Sequence, residues 1–253
     1  MPKPFKKTPY IHSNMEAKPF LKEIILNSEK IADRSVYPFS IPALRNFGSL
    51  KFHPDVTFIV GENGSGKSTL IEAIALNQGF GFDGGTKGVQ YDPREKVSEL
   101  HFHLKAIKSF SKPNNYYFLR AETFYKVASY LAEIDPDREF GDYLHEFSHG
   151  EAFMKTLDRL GSKGLYLFDE PEAALSPSRQ LAALAKIHEL AQNKNCQFII
   201  ATHSPILLSY PGATIFRLDE SGITEIQYEE TEHYLVTREF LNNYKSILGS
   251  LLG

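Results

Sequence analysis

Cysteine is almost missing from this 253-residue chain, and tryptophan is missing altogether. The lone Cys196 has no second thiol for an internal disulfide and none for a thiolate metal cluster. A disulfide-stapled secreted scaffold is therefore excluded, and a reducing cytoplasmic setting is expected. No charge of one sign predominates: 28 Lys and Arg against 31 Asp and Glu leave a formal net charge of -3. Global electrostatics thus supplies no reason to expect nucleic acid, while a local basic patch stays compatible with these numbers. Long apolar runs are also lacking. The most apolar stretch, residues 198–210, is too short to cross a bilayer and is interrupted by His203 and Pro205, so no membrane insertion by this chain is expected. The basic start, Met1-Pro-Lys-Pro-Phe-Lys-Lys7, is followed by no apolar core, so residues 1–19 read as a tail rather than a secretory leader. Between residues 90 and 159 there is no long heptad pattern, which excludes coiled-coil arms.

What is present suits a globular protein. The hydrophobic share of 42% argues against disorder, and the length is enough for one large α/β domain with a sub-lobe. Leu21 to Leu26 and Ile41 to Phe47 read as short strands around a turn at Tyr37-Pro38. Val56 to Val60 is a β-branched and aromatic run with the look of a strand buried on both faces. It leads directly into Gly61-Glu62-Asn63-Gly64-Ser65-Gly66-Lys67-Ser68, and Thr69 to Leu76 then follows a helical rhythm. Strand, glycine loop and helix in that order form the context of a P-loop. The chemistry accounts for the residue types. Glycines at 61, 64 and 66 let successive N–H groups face phosphate oxygens, and the helix N-terminus adds partial positive charge. Lys67 is placed to reach the β- and γ-phosphates, Ser68 to offer its hydroxyl to Mg²⁺, and Thr69 to support the α-phosphate side.

A second buried-strand run, Gly164 to Phe168, ends in Asp169 and Glu170. Carboxylates at the C-terminal end of a strand sit where open α/β sheets bind ligands. Asp169 then suits Mg²⁺ and Glu170 suits the water that attacks the γ-phosphorus; an acidic turn capping the helix that starts near Ser176 is the structural alternative. Ser148-His149-Gly150-Glu151, ahead of an amphipathic helix reaching Leu160, is on one reading a capping box. On the other, that helix N-terminus, with Ser148 and the small Gly150, docks against a γ-phosphate held by a second subunit. Gln197 to Ala201 reads as another buried strand, so Thr202 and His203 emerge beside the other strand ends. A hairpin is expected from Thr214 to Tyr228 about a turn at 219–222, and a terminal helix from Glu232 to Leu252 whose Tyr, Phe and Leu residues belong to the core.

Five of these elements stand in a recognisable order: Gly61 to Ser68, Ser148 to Glu151, Leu165 to Glu170, the turn Ala174 to Pro177, and His203. The chain resembles the ATP-binding-cassette (ABC) ATPases, where Walker A, signature, Walker B, D-loop and switch histidine follow in that sequence. More narrowly it resembles small stand-alone bacterial ATPases of the AAA family related to the SMC and RecF proteins, from about Phe20 onward. The resemblance implies a P-loop α/β fold, mostly parallel with an antiparallel portion. It places a core lobe at 20–89 and 160–253 and a helical signature lobe at about 90–159. It also implies an ATP-dependent homodimer in which Lys67 and Asp169 of one subunit face Ser148 and Gly150 of the other across each Mg²⁺-ATP, with His203 on the γ-phosphate. Two departures stand out. His149 replaces the usual signature glycine, and no Q-loop glutamine follows the strand Tyr116 to Leu119, which leaves Glu122 either as the stand-in metal contact or as an ordinary acid at a helix start. Tyr37 lies upstream at a distance from which it could stack on adenine, with packing beside the Pro38 turn as the favoured alternative. The function expected is a cytoplasmic ATP-hydrolysing switch acting on nucleic acid or a partner protein, with the ATP-binding subunit of a transporter as the alternative.

Overall fold

The computed structural model describes residues 18–45, 47–87, 97–124 and 148–253. Its strands in chain order are β1 (Leu21–Leu26), β2 (Ser49–Lys51), β3 (Val56–Gly61), β4 (Leu104–Lys108), β5 (Asn115–Arg120), β6 (Gly164–Asp169), β7 (Gln197–Ala201), β8 (Thr214–Asp219) and β9 (Gly222–Ile226). The described helices are α1 (Pro42–Arg45), α2 (Lys67–Asn77), α3 (His149–Arg159), α4 (Pro177–Asn193), α5 (Pro205–Leu208) and α6 (Glu232–Leu252). Six strands form the main sheet in the order β5-β6-β7-β3-β8-β9; all neighbours run parallel except β9, which returns antiparallel on β8. A separate antiparallel sheet has the order β2-β1-β4.

The central strands bury both faces because their side chains alternate between two apolar layers. Ile59, Leu165, Leu167, Ile199 and Ala201 point into one cluster. Phe58, Tyr166, Phe168, Phe198 and Ile200 point into the other. A strand wholly inside a parallel sheet needs such continuous apolar sequence, and β3, β6 and β7 are buried at every position. Helix α2 covers the first layer and α4 the second.

One side chain joins the small sheet to the large one. Gln197 is fully buried; its Oε1 accepts from the Leu21 N–H at 3.0 Å, and its Nε2 donates to the carbonyls of Leu21 at 2.9 Å and His53 at 3.1 Å. Gln197→Leu strands those backbone groups in an apolar interior. It is expected to lower unfolding stability by about 2–4 kcal/mol, read from the urea midpoint; an unchanged midpoint would show that the joint contributes nothing.

Three expectations change. Ile41 to Phe47 is not a strand: Pro42 opens the short helix α1, which places Ala43 and Leu44 in the core. Proline at the first helical position loses no hydrogen bond and presets the helical φ, whereas a short apolar run alone fits either structure. Within the interval 90–159, β4 and β5 are strands and β5 belongs to the main sheet; the described helices of this interval are α3 and a 3-10 turn at Glu99–His103, and 90–96 and 125–147 lie outside the described residues. Helix α6 spans Glu232 to Leu252 as expected, but it buries none of its residues, and Leu241, Tyr244, Leu248, Leu251 and Leu252 are exposed. An apolar stripe shows that a helix is amphipathic and leaves open what covers it.

Candidate functional site

Register in the parallel sheet brings the chemical groups together. Ile59 and Asp169 each pair with Ala201, and Arg120 pairs with Asp169. The ends of β3, β5, β6 and β7 therefore share one edge, the edge where parallel sheets bind ligands. Strand β7 lies between the strand that feeds the glycine loop and the strand that ends in acids, which sets Thr202 and His203 between the two.

The loop needs its glycines at two positions in particular. Gly64 has φ of 82° and Gly66 φ of 100°, in the region that side chains disfavour, and a Cβ on Gly66 would come within 3.0 Å of Leu44 Cδ1. The short helix α1 thus supports the loop from beneath. Lys67 is only 4% exposed, and its ammonium donates to the carbonyls of Gly61 at 2.9 Å and Glu62 at 3.0 Å. Burial pushes its pKa below the ordinary lysine value, against the pull of Glu170, Asp169 and Glu172. Ser65 Oγ is buried without a hydrogen-bond partner among the described residues. Tyr37, 60% exposed, reaches Thr69 through a hydroxyl contact of 3.1 Å.

On the acidic side, Ser68 Oγ donates to Asp169 Oδ1 at 3.1 Å, across 101 residues of sequence. Burial raises the Asp169 pKa to about 6, opposed by the Arg120 guanidinium and by Ser68. Glu170 takes a left-handed backbone conformation, φ 51° and ψ 50°, and its N–H donates to Ala201 at 2.9 Å. Such a conformation costs a non-glycine residue energy and is kept where surrounding structure over-determines it, commonly at functional sites. The bend turns the Glu170 carboxylate toward His203, whose Nε2 lies 3.5 Å from Glu170 Oε1.

These groups fit a magnesium nucleotide. Ser68 and Asp169 offer a hydroxyl and a carboxylate, and among the described residues no three His, Cys, Asp or Glu side chains gather as a protein-only metal cage. Magnesium characteristically takes one or two protein oxygens and completes its shell with phosphate and water. The unpaired Ser65 hydroxyl and the backbone turned by Gly64 and Gly66 offer donors to phosphate oxygens. A cleft of about 870 Å³ runs along the other side of the loop, between Gly61 to Ser65, Asp219 to Ser221 and the first turns of α6. It is lined by the loop from Gly61 to Ser65 but does not include Lys67, Ser68 or Asp169.

The remaining expected residues are arranged differently. Glu122 has a side chain 85% exposed and lies 3.9 Å from Arg120; among the described residues that is its recorded ion pair. Ser148 caps α3: its backbone N–H donates to Glu151 Oε2 at 3.0 Å, and its hydroxyl to the same oxygen at 2.8 Å. Arg179 of α4 donates to Ser148 Oγ at 3.0 Å and to Glu151 Oε1 at 3.1 Å. A Cβ on Gly150 would lie 3.0 Å from the Ala174 carbonyl oxygen and 2.9 Å from Arg179 Cδ, so glycine there has a reason within this chain.

Three site residues escaped the sequence reading. Arg120 is buried at the end of β5, with Nε 3.8 Å from Asp169 Oδ2 and NH1 3.4 Å from Glu72 Oε2. Glu172 is a half-buried acceptor: it takes the Thr202 hydroxyl at 2.7 Å and the His203 backbone N–H. Burial raises its pKa, while those two hydrogen bonds lower it. His233 meets His203 from α6. The adjacency of Glu172 to the acid pair was a weak signal; the pairings of Arg120 and His233 had none, because each depends on tertiary contact.

Two family descriptions match the chain. Residues 152–209 match "AAA domain, putative AbiEii toxin, Type IV TA system", and residues 40–147 match "AAA domain". The chain is 33% identical over 125 residues to Protein ea59 of Escherichia phage lambda, a match that covers 42% of this chain and 23% of ea59. The chain thus spans under a quarter of that relative's length. It is 24% identical over 188 residues to the thiamine import ATP-binding protein ThiQ of Haemophilus influenzae (strain ATCC 51907 / DSM 11121 / KW20 / Rd), covering 67% of this chain and 85% of ThiQ. Among solved structures it is similar to the SMC head domain from Thermotoga maritima, with TM-score 0.44 and 15% identity, covering 83% of this chain and 99% of that one.

Proposed function

We propose that this chain, a small P-loop ATPase of the AAA/ABC type, binds Mg²⁺-ATP and hydrolyses it within a nucleotide-sandwich homodimer. The cycle of closing and opening acts as a switch on nucleic acid or a partner protein. The observation that carries this reading is the Ser68 to Asp169 hydrogen bond, beside a Glu170 and His203 pair on adjoining strand ends.

In this reading Lys67 leaves the carbonyls of Gly61 and Glu62 for the β- and γ-phosphates, gaining a partner of opposite charge. Ser68 and Asp169 hold Mg²⁺, which neutralises charge on the phosphates. Glu170 accepts a proton from the attacking water as its oxygen bonds to the γ-phosphorus, and ADP departs with the electrons of the broken bond. His203 Nε2, which has no hydrogen-bond partner among the described residues, donates to a γ-phosphate oxygen. Glu172 holds the switch backbone in place from below. Ser148 and Gly150 at the start of α3 serve the nucleotide of the second subunit, with Arg179 keeping the Ser148 hydroxyl oriented.

Phosphate release and sedimentation of the purified chain test the proposal together. Slow turnover that requires Mg²⁺, with a doubled mass in Mg²⁺-ATP, is the expected result. A chain that neither releases phosphate nor changes mass with nucleotide would count against it. Whether DNA or RNA accelerates turnover in a salt-sensitive way separates a nucleic-acid target from a protein target.

The match to ThiQ favours a second reading, in which the chain is the ATP-binding subunit of a transporter. No described helix is long and apolar enough to cross a membrane. Co-purification of a permease with the chain from detergent-solubilised cells would favour this reading over the switch.

A further inference from the structure

We infer that His233, in the first turn of α6, positions the switch imidazole of His203 by holding it in the tautomer that keeps its proton on Nε2. The inference deepens the proposed function and rests on that reading of His203. His233 Nε2 lies 2.8 Å from His203 Nδ1, and the two rings meet edge-on, with centroids 4.9 Å apart and planes at 62°. The other nitrogen of His203, Nε2, is a buried atom with no hydrogen-bond partner among the described residues, 3.5 Å from the Glu170 carboxylate.

Two neutral imidazoles can share a single hydrogen bond in only two ways. If His233 donates, His203 accepts at Nδ1 and carries its proton on Nε2, facing Glu170. If His203 donates instead, its bare Nε2 lone pair faces a carboxylate and, in the proposed cycle, a triphosphate. A lone pair against two anions is electrostatically unfavourable, so the local charges select the first arrangement. Burial above all holds both rings toward the neutral form, aided by the ammonium of Lys67 and opposed by Glu170 at His203 and by Glu232 at His233. A partner on the far nitrogen commonly fixes the tautomer of a functional histidine, and here another histidine takes that place.

The fold anchors His233 for this purpose and little else of α6. Thr231, the N-cap, is fully buried, and its hydroxyl donates to Tyr228 at 2.7 Å. The Tyr228 hydroxyl in turn donates to the Pro205 carbonyl at 2.9 Å, two residues beyond His203. The start of α6 is thus tied to the switch segment, while the rest of the helix buries nothing.

The test uses the full chain with His233→Ala and His233→Gln. Gln can place an N–H where His233 Nε2 stands; Ala cannot. His233→Ala is expected to lower kcat for Mg²⁺-ATP about 10-fold with KM changed less than about twofold, and His233→Gln to recover most of the loss. Nitrogen-15 spectra of the imidazoles are expected to show His203 protonated on Nε2 in the parent and in His233→Gln, and a mixture of tautomers in His233→Ala. This second readout does not depend on turnover. An unchanged His203 tautomer in His233→Ala, or equal kcat losses for Ala and Gln, overturns the inference. Failure of the parent chain to hydrolyse ATP strikes the proposed function, and the tautomer still decides the role of His233.

Discussion

Replacing Glu170 with glutamine is expected to reduce ATP turnover by at least about 100-fold while leaving an ATP-bound dimer that survives size-exclusion chromatography in Mg²⁺. The amide keeps the shape of the carboxylate and its backbone donation to Ala201, but it cannot accept the proton of the attacking water. A loss of that size corresponds to roughly 3 kcal/mol of transition-state stabilisation, within the ordinary range for a positioned base. The binding groups are untouched, because Lys67, Ser68 and Asp169 reach the site from α2 and β6 independently of the Glu170 side chain. Nucleotide therefore binds, chemistry stalls, and the closed state accumulates. Phosphate release and elution volume, measured together, check both halves. A variant that stays monomeric and hydrolyses at the parent rate would remove Glu170 from the mechanism.

Lys67→Ala is expected to weaken ATP binding about 100- to 1,000-fold. The ammonium is nearly enclosed and makes two hydrogen bonds to loop carbonyls, so it approaches the phosphates already stripped of most of its water. Truncating one partner of a buried charged contact costs about 2–5 kcal/mol, and each 1.4 kcal/mol is a factor of ten in Kd. Titration calorimetry with ATP reads the loss directly. Circular dichroism and the thermal midpoint serve as the control for folding. Parent-like affinity in a folded variant would end the assignment of the loop as the phosphate cradle.

The two variants separate binding from chemistry. The first keeps nucleotide and loses turnover; the second loses nucleotide. His233→Ala lies between them, because His233 acts through its hydrogen bond to His203.

Much of the site could be read from local pattern. The glycine loop, its strand and its helix are contiguous, so residues 56–77 carry their own context. The position of the acids at 169 and 170 was legible because the short apolar run before them is consistent with a buried central strand, and ligands bind beyond the carboxyl ends of such strands. His203 was legible for the same reason. Ile41 to Phe47 misled because a short, largely apolar segment fits a strand as well as a turn of helix, and the structure packs Leu44 of that turn against Gly66. The terminal helix misled because apolar spacing was taken as burial.

What the residues determined by themselves was the chemistry on offer: phosphate donors, a lysine, a hydroxyl, two acids and a histidine, each at a strand end or helix start. Periodicity and glycine placement suffice for that, since both act over a few residues. Tertiary structure alone decided the order β6-β7-β3, the meeting of Ser68 with Asp169, the burial of Arg120, the hydrogen bonds of Glu172 to Thr202 and His203, and the contact of His203 with His233. Those depend on which strands become neighbours, and on which side chains then face each other across gaps of tens of residues. Such pairings are set by the packing of whole layers, which no short window of sequence contains.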